Sequence, residues 1–296
     1  MRLTMAPFGL LNVNKPRGMT SRDAVNRVER LVRPAKAGHA GTLDPLASGV
    51  LVICVGQATR LIRFVQMMRK QYRATFLLGR QSETDDLEGE VIEVPNATKP
   101  TRAALDAVLT QFAGDIEQRP PAHSAIKVDG RRAYKLARRG KAVELPARTV
   151  TIHRLVVRRY EYPELDLDIE CGSGTYVRAL GRDIGAALGT AAVMSALERT
   201  AIGPFCVADA LDPDKLSADN IAKYFRPALI AAADLPRVAL TDAELIEIYH
   251  GRWIAMPHAE PSGTEWAAVD SADQLVAILY EKHEGQLWPV HNFSSS

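Results

Sequence analysis

Cysteine is scarce in this chain: Cys54, Cys171 and Cys206 are its three among 296 residues, odd in number and far apart. That excludes a disulfide scaffold and the closely spaced pairs of a thiolate zinc site, and all three are expected to be buried thiols. The seven histidines are equally dispersed, without a His-x-x-x-His pair, so no ligand set for a metal is visible and none is expected. Aromatic residues make up only 6%, too few for an aromatic-rich sugar cleft. No apolar run approaches the length that crosses a bilayer, and the first residues, Met1 to Pro7, carry one charge and no signal-type apolar core. The expectation is a cytoplasmic protein without membrane contact.

What is present fits a globular protein: 47% apolar and 24% charged residues, with length for one large domain and a small one. The net charge of +2 hides an asymmetry. From Lys127 to Arg159 there are eleven basic and two acidic residues, a balance of +9; from Leu211 onward there are six basic and thirteen acidic, a balance of −7. A basic run is usually a solvated surface, but this excess is too one-sided for pairing within a helix to absorb. It suits phosphate contacts, which give affinity and salt dependence without sequence selectivity.

Leu10 to Asn14 reads as a strand, and Thr20-Ser21 cap a helix with Ala24, Val25, Val28 and Leu31 inward. Val50 to Val55 is a buried strand; Gln71 to Gly79 and Val91 to Val94 are strands across a polar turn containing Thr84, Asp85, Asp86 and Gly89. Thr101 to Phe112 is an amphipathic helix with Leu105, Val108, Leu109 and Phe112 inward. A surface helix is expected around Arg131 to Arg139, paired strands over Thr149 to Tyr160 and Leu165 to Cys171, then a helix from the Gly172-Ser173-Gly174 stretch to about Leu188. Strands joined by short turns with irregularly placed helices predict an α+β fold with a mixed, largely antiparallel sheet. Asp234-Leu235-Pro236 marks a boundary, so residues 1–233 form one domain and 234–296 a small one. There Trp266 to Val269 and Leu275 to Tyr280 flank Asp270 to Gln274, a hairpin suited to a small β-barrel.

One block stands out: Gly38-His39-Ala40-Gly41-Thr42-Leu43-Asp44-Pro45-Leu46-Ala47-Ser48-Gly49 places one carboxylate in a loop of small residues leading into an apolar strand. A lone Asp-Pro is ordinarily a turn or a cap. Here the glycines leave room for a bulky substrate, and Asp44 is the candidate nucleophile. The block resembles the GH-x-GTLDP-x-A-x-G-x-L signature of the TruB family of tRNA pseudouridine synthases, and further blocks from Leu10 to Phe205 resemble the same family.

The resemblance implies a cofactor-free isomerase that flips uridine 55 out of the tRNA T loop, with Asp44 as its nucleophile. Gly174-Thr175-Tyr176-Val177-Arg178 resembles the family's GTY-[IV]-R block, which implies that Arg178 pairs with Asp44; a planar guanidinium fixes a carboxylate in one orientation. Tyr72, in Lys70-Gln71-Tyr72, aligns with a K-x-Y motif, implying a ring that stacks on the target base and replaces the stacking lost on flipping. Tyr176 resembles a second wall of that pocket, and Leu197 an apolar contact in it. Asp86 matches the aspartate of a T-x-T-x-D-x-x-G turn, His39 a residue packing on the flipped nucleotide, and Lys15 the DKP-x-G block, with Asn14 in place of the usual aspartate. The basic segment of about 124–150 resembles the family's RNA-clamping insertion, with Lys127, Arg131, Arg132, Arg138, Arg139 and Lys141 as contacts. The small domain resembles a PUA-type barrel. The implied partner is the tRNA T stem-loop, the implied state a monomer with no obligatory protein partner. Three rivals remain: a guide-dependent relative, a non-catalytic RNA binder, and a glycoside hydrolase built on Asp44 and Asp86.

Overall fold

The computed structural model describes residues 7–123, 127–128, 131–132, 145–257 and 263–293, with backbone alone at 127–128 and 131–132. Strand β1 (Gly9–Lys15) leads into the helix Ser21–Leu31, which starts at Thr20 with a capping box: Thr20 and Asp23 each satisfy the other's backbone N–H. Ala24, Val25 and Val28 are buried as expected; Leu31 is only half-buried, because the helix ends there and Val32 enters the core in its place. Strands β2 (Ala37–His39) and β3 (Ser48–Val55) follow, and β3 runs antiparallel to both β1 and β2. Every residue from Gly49 to Val55 is buried. The continuous apolar run therefore belongs to a strand covered on both faces.

Strand β4 (Lys70–Leu78) alternates cleanly, burying Lys70, Tyr72, Ala74, Phe76 and Leu78. Strands β5 (Arg80–Gln81) and β6 (Ile92–Glu93) close the turn after it; the strand expected over Val91 to Val94 shrinks to two exposed residues paired only with the two-residue β5 among the described residues. The helix Arg102–Leu109 continues as a 3-10 turn to Phe112, with Leu105 and Leu109 buried and Val108 and Phe112 partly so. Strand β7 (Gly114–Gln118), absent from the sequence reading, pairs with the start of β10 (Arg148–Glu161). Between them β8 (Lys127–Val128) pairs with β9 (Arg131–Arg132), so the helix expected from Arg131 begins instead as extended chain. The remainder of that expected helix, with Arg138 and Arg139, lies outside the described residues, as does Lys141.

Strand β11 (Glu164–Cys171), the helix Val177–Ala187, β12 (Ala192–Ile202) and β13 (Phe205–Cys206) complete a nine-stranded sheet ordered β1-β3-β12-β4-β11-β10-β7, with β2 on β3 and β13 on β12. Among the described residues only β12–β3 is parallel in this sheet, so it is mixed and largely antiparallel, as expected. At that seam Arg199 faces Gly49, whose φ of +101° and lack of Cβ let the Arg199 backbone pass where a methyl would collide with it. The helix Val177–Ala187 lies directly on the sheet: a Cβ on Gly181 would run into the Phe76 ring. Cys54 and Cys171 are buried, but Cys206 is half-buried and its thiol points to Asp209 Oδ2 at 3.0 Å, because β13 is a two-residue edge strand that turns it outward.

Beyond residue 233, β14 (Arg237–Ala239), the helix Asp242–Tyr249, β15 (Ile254–Ala255), β16 (Glu265–Val269), β17 (Leu275–His283) and β18 (Gln286–Asn292) form a second sheet ordered β14-β16-β17-β18-β15. Its terminal strands, three and two residues long, do not pair with each other among the described residues, so it is a half-barrel where the sequence predicts a small β-barrel. It has its own core around the fully buried Trp266, yet Ala267, Val269, Leu275, Ile278 and Phe293 join Leu10, Val50 and Val52 in one apolar cluster. The small unit is thus fixed to the back of β1 and β3 by shared core. Among the described residues no helix is long and apolar enough to cross a membrane.

Candidate active site

The loop between β2 and β3 is held by polar contacts from four other segments. Ser21, at the start of its helix, accepts from the Leu43 N–H (2.8 Å) and donates to the Leu43 carbonyl (2.9 Å). Glu88 Oε1 accepts from the Leu46 N–H (3.0 Å), and the Gly18 N–H donates to the Pro45 carbonyl (2.7 Å). Arg199, 2% exposed, donates to the carbonyls of Val50 (2.7 Å), Gly41 (3.1 Å) and Thr42 (3.4 Å). A loop whose backbone groups are satisfied from outside cannot wander, and Asp44 at its tip is held with its side chain 35% exposed.

Arg178, in the first turn of its helix, meets this carboxylate. Its Nε lies 3.6 Å from Asp44 Oδ2 and one terminal nitrogen lies 3.5 Å from Asp86 Oδ2. The terminal nitrogens donate to the carbonyls of Thr84 (2.9 Å) and His123 (2.8 Å), which fixes the guanidinium plane. Arg178 Nε and Asp86 Oδ2 are buried and make no hydrogen bond. The pairing of Arg178 with Asp44 expected from the sequence is therefore present as a charge contact with slack in it. Asp86 is 1% exposed and sits behind Arg178, its Oδ1 accepting from Thr84 Oγ1 (2.6 Å) and the Glu88 N–H (3.0 Å). It braces the arginine and does not line the cleft.

Tyr72 on β4 sits opposite Arg199 on β12 and is 7% exposed. Burial pushes its phenol pKa up, while the Arg199 charge pulls it down. Two buried ammonium groups flank this floor. Burial lowers Lys70 to about 8, with Arg199 adding to the shift, and its Nζ donates to the Met68 carbonyl (2.6 Å). Burial likewise lowers Lys15 to about 8 against the pull of Asp44, and its Nζ donates to the carbonyls of Met19 (2.7 Å) and Pro16 (3.0 Å). Lys15 is completely buried and lies beneath the loop, outside the cleft lining.

Asp44, Tyr72, Arg178, His39, Tyr176 and Leu197 all line one cleft of about 1610 Å³. Small-molecule sites run to about 300–1,000 Å³, so this cleft has room for part of a polymer. Arg199 also lines it and was missed in the sequence. Once β12 is recognised, the two-residue spacing from Leu197 puts Arg199 on the same face. Glu88 and Ser21, which hold the loop, were missed because their partners are backbone groups 42 and 22 residues away.

The chemistry available here is that of a fixed, partly exposed carboxylate beside a guanidinium, over a floor that carries the Tyr72 ring and the Arg199 guanidinium. Residues 29–177 match the N-terminal domain of the TruB family pseudouridylate synthases. The chain is 42% identical to the tRNA pseudouridine synthase B of Rhodopirellula baltica, over 93% of this chain and 85% of that one, and 41% identical to its namesake in Thermobifida fusca, over 97% and 99%. Among solved structures, a chain of a Cbf5-Nop10-Gar1 complex superposes with a TM-score of 0.73 at 29% identity, covering 93% of this chain and 79% of that one. A chain of an H/ACA RNP bound to a substrate RNA containing 2'-deoxyuridine superposes with a TM-score of 0.74 at 26% identity, covering 97% and 85%.

Proposed function

The chain belongs to the TruB family of pseudouridylate synthases and is an isomerase, and from that premise we propose that it converts uridine 55 in the T loop of tRNA to pseudouridine with Asp44 as the reacting group. The observation that carries the proposal is the convergence of Asp44, Tyr72 and Arg178 on one cleft wide enough for an extruded nucleotide. The reaction breaks the N1–C1′ bond, turns the freed uracil and forms C5–C1′; the C5 proton leaves and N1 ends protonated, so nothing is gained or lost overall. A carboxylate serves this chemistry by attacking an electron-poor centre or accepting a proton, with no external reagent. Arg178 holds Asp44 toward the sugar, the Tyr72 ring receives the base, and Leu197, Tyr176 and His39 enclose it.

The basic segment that includes Lys127, Arg131, Arg132, Arg138, Arg139 and Lys141 supplies phosphate contacts, and residues 234–296 act as a PUA-like unit. The enzyme works as a cytoplasmic monomer on bare tRNA. In support of tRNA as the substrate, the relatives named for tRNA are 41–42% identical over nearly the whole chain, against 26–29% for the chains of the Cbf5-Nop10-Gar1 complex and the H/ACA RNP. Incubating the pure protein with an unmodified tRNA transcript and mapping pseudouridine tests this: modification at position 55 without guide RNA is expected. No modification, or modification only with a guide, contradicts it.

A further inference from the structure

Both roots of the basic insertion grip the segment that carries Tyr176 and Arg178. On one side the completely buried Gln118, at the end of β7, accepts from the Tyr176 N–H (2.8 Å) and donates to the Tyr176 carbonyl (3.1 Å). Its amide thus replaces a strand neighbour for one residue. Five residues later the His123 carbonyl takes Arg178, and the Arg119 carbonyl takes Arg182 (2.8 Å). From the other root Arg148 donates to the Gly174 carbonyl and lies over the Tyr176 ring, 5.0 Å from its centroid.

Tyr176 precedes its helix as the N-cap residue, with an extended backbone and no side-chain cap, so helix hydrogen bonding does not fix its N–H. Gln118 supplies what the helix does not. The amide sets where the Tyr176 backbone sits, and Arg148 sets the tilt of its ring. Because Arg178 is two residues on, the same contacts fix the start of the turn that aims it at Asp44.

We propose that Gln118, with Arg148, is a positioning residue for the isomerisation, acting through Tyr176 and the turn that presents Arg178. This rests on the functional reading above. A purely packing role would lower thermal stability and the folded fraction, leaving the rate per folded molecule unchanged. A positioning role lowers the rate on bound tRNA.

The test is single-turnover pseudouridine formation at saturating tRNA, with tRNA affinity and melting temperature measured in parallel, for Gln118→Met, Arg148→Met, Tyr176→Ala and the Gln118→Met/Tyr176→Ala double variant. Gln118→Met is expected to slow the bound-state step roughly tenfold or more with affinity within about threefold, and Arg148→Met to slow it less. The double variant should be no slower than Tyr176→Ala by more than about threefold, since a residue acting through another loses its effect when that one is gone. A rate within twofold of the parent, a loss confined to affinity, or fully multiplicative effects in the double variant would overturn the proposal. If Gln118→Met does not fold, Arg148→Met at an unchanged rate overturns it. Failure of the parent protein to modify tRNA would instead strike the functional reading itself.

Discussion

Two buried arginines serve the same cleft in opposite ways. Arg199, in its floor, spends its guanidinium on three neutral carbonyls of the loop and the strand after it. Arg178, in its wall, gives two hydrogen bonds to carbonyls and faces two carboxylates at 3.5–3.6 Å, with its Nε unbonded. The floor is closed and the wall is left open to respond. A cation bonded at every nitrogen holds a scaffold together; one held in place with a nitrogen to spare can shift its attention when a substrate changes the charge in front of it.

The sharpest way to break this contrast is at the group both arginines serve. Asp44→Ala is expected to lower pseudouridine formation by at least ~10³-fold while tRNA still binds, because the carboxylate proposed to react goes and the surrounding contacts stay. Gel-shift affinity and product mapping on the same preparation check it. Next come the arginines themselves. Arg178→Lys should cost about 10²-fold in rate at little change in melting temperature, since an ammonium cannot span two carbonyls and a carboxylate in one plane. Arg199→Met should instead lose stability, on the order of 3 kcal/mol by denaturant unfolding, because it strands buried carbonyls. Equal stability losses in the two variants would erase the distinction between floor and wall.

The same contrast separates what could be read from the sequence from what could not. Asp44, Tyr72 and Arg178 stand out in the sequence because the blocks that hold them resemble motifs of one family, and the fold brings all three to one cleft. Arg199 does not, since β12 carries register shifts between Met194 and Ala196 and between Arg199 and Ala201 that break the alternation by which a strand announces itself. Strand β7 was missed because its residues are polar and largely exposed at the sheet edge, and its buried Gln118 answers a backbone 58 residues away. Side chains that serve distant backbone leave no local pattern. The small β-barrel is seen as a half-barrel for a related reason: periodicity finds strands but says nothing about whether the first and last of them meet.

Smaller effects sharpen the picture away from the reacting groups. Replacing Arg138, Arg139 and Lys141 together by alanine should weaken tRNA binding and reduce the slope of log K against log salt by about 2, with the rate on bound tRNA unchanged. Filter binding across a salt series checks this.

Asp85 gives the mildest test. Burial raises its pKa from 3.8 to about 6, against the pull of Arg182. Between those values the folded protein holds the proton more tightly than the unfolded chain, so this contribution is fully present below about 3.8 and is lost as pH rises through about 6. Relative to Asp85→Asn, the parent should therefore lose on the order of 2 kcal/mol between pH 4 and 7, read by thermal melts across that range.

The central claim is that Asp44, faced by Arg178, isomerises a uridine in tRNA. Tritium release from a tRNA transcript carrying 5-tritiated uridine tests it most directly, because the label leaves C5 only if the carbon bond forms. One equivalent released from position 55 by the parent protein, and none by an Asp44→Ala variant that still binds the transcript, is the predicted result. Release by the alanine variant at the parent rate would contradict it.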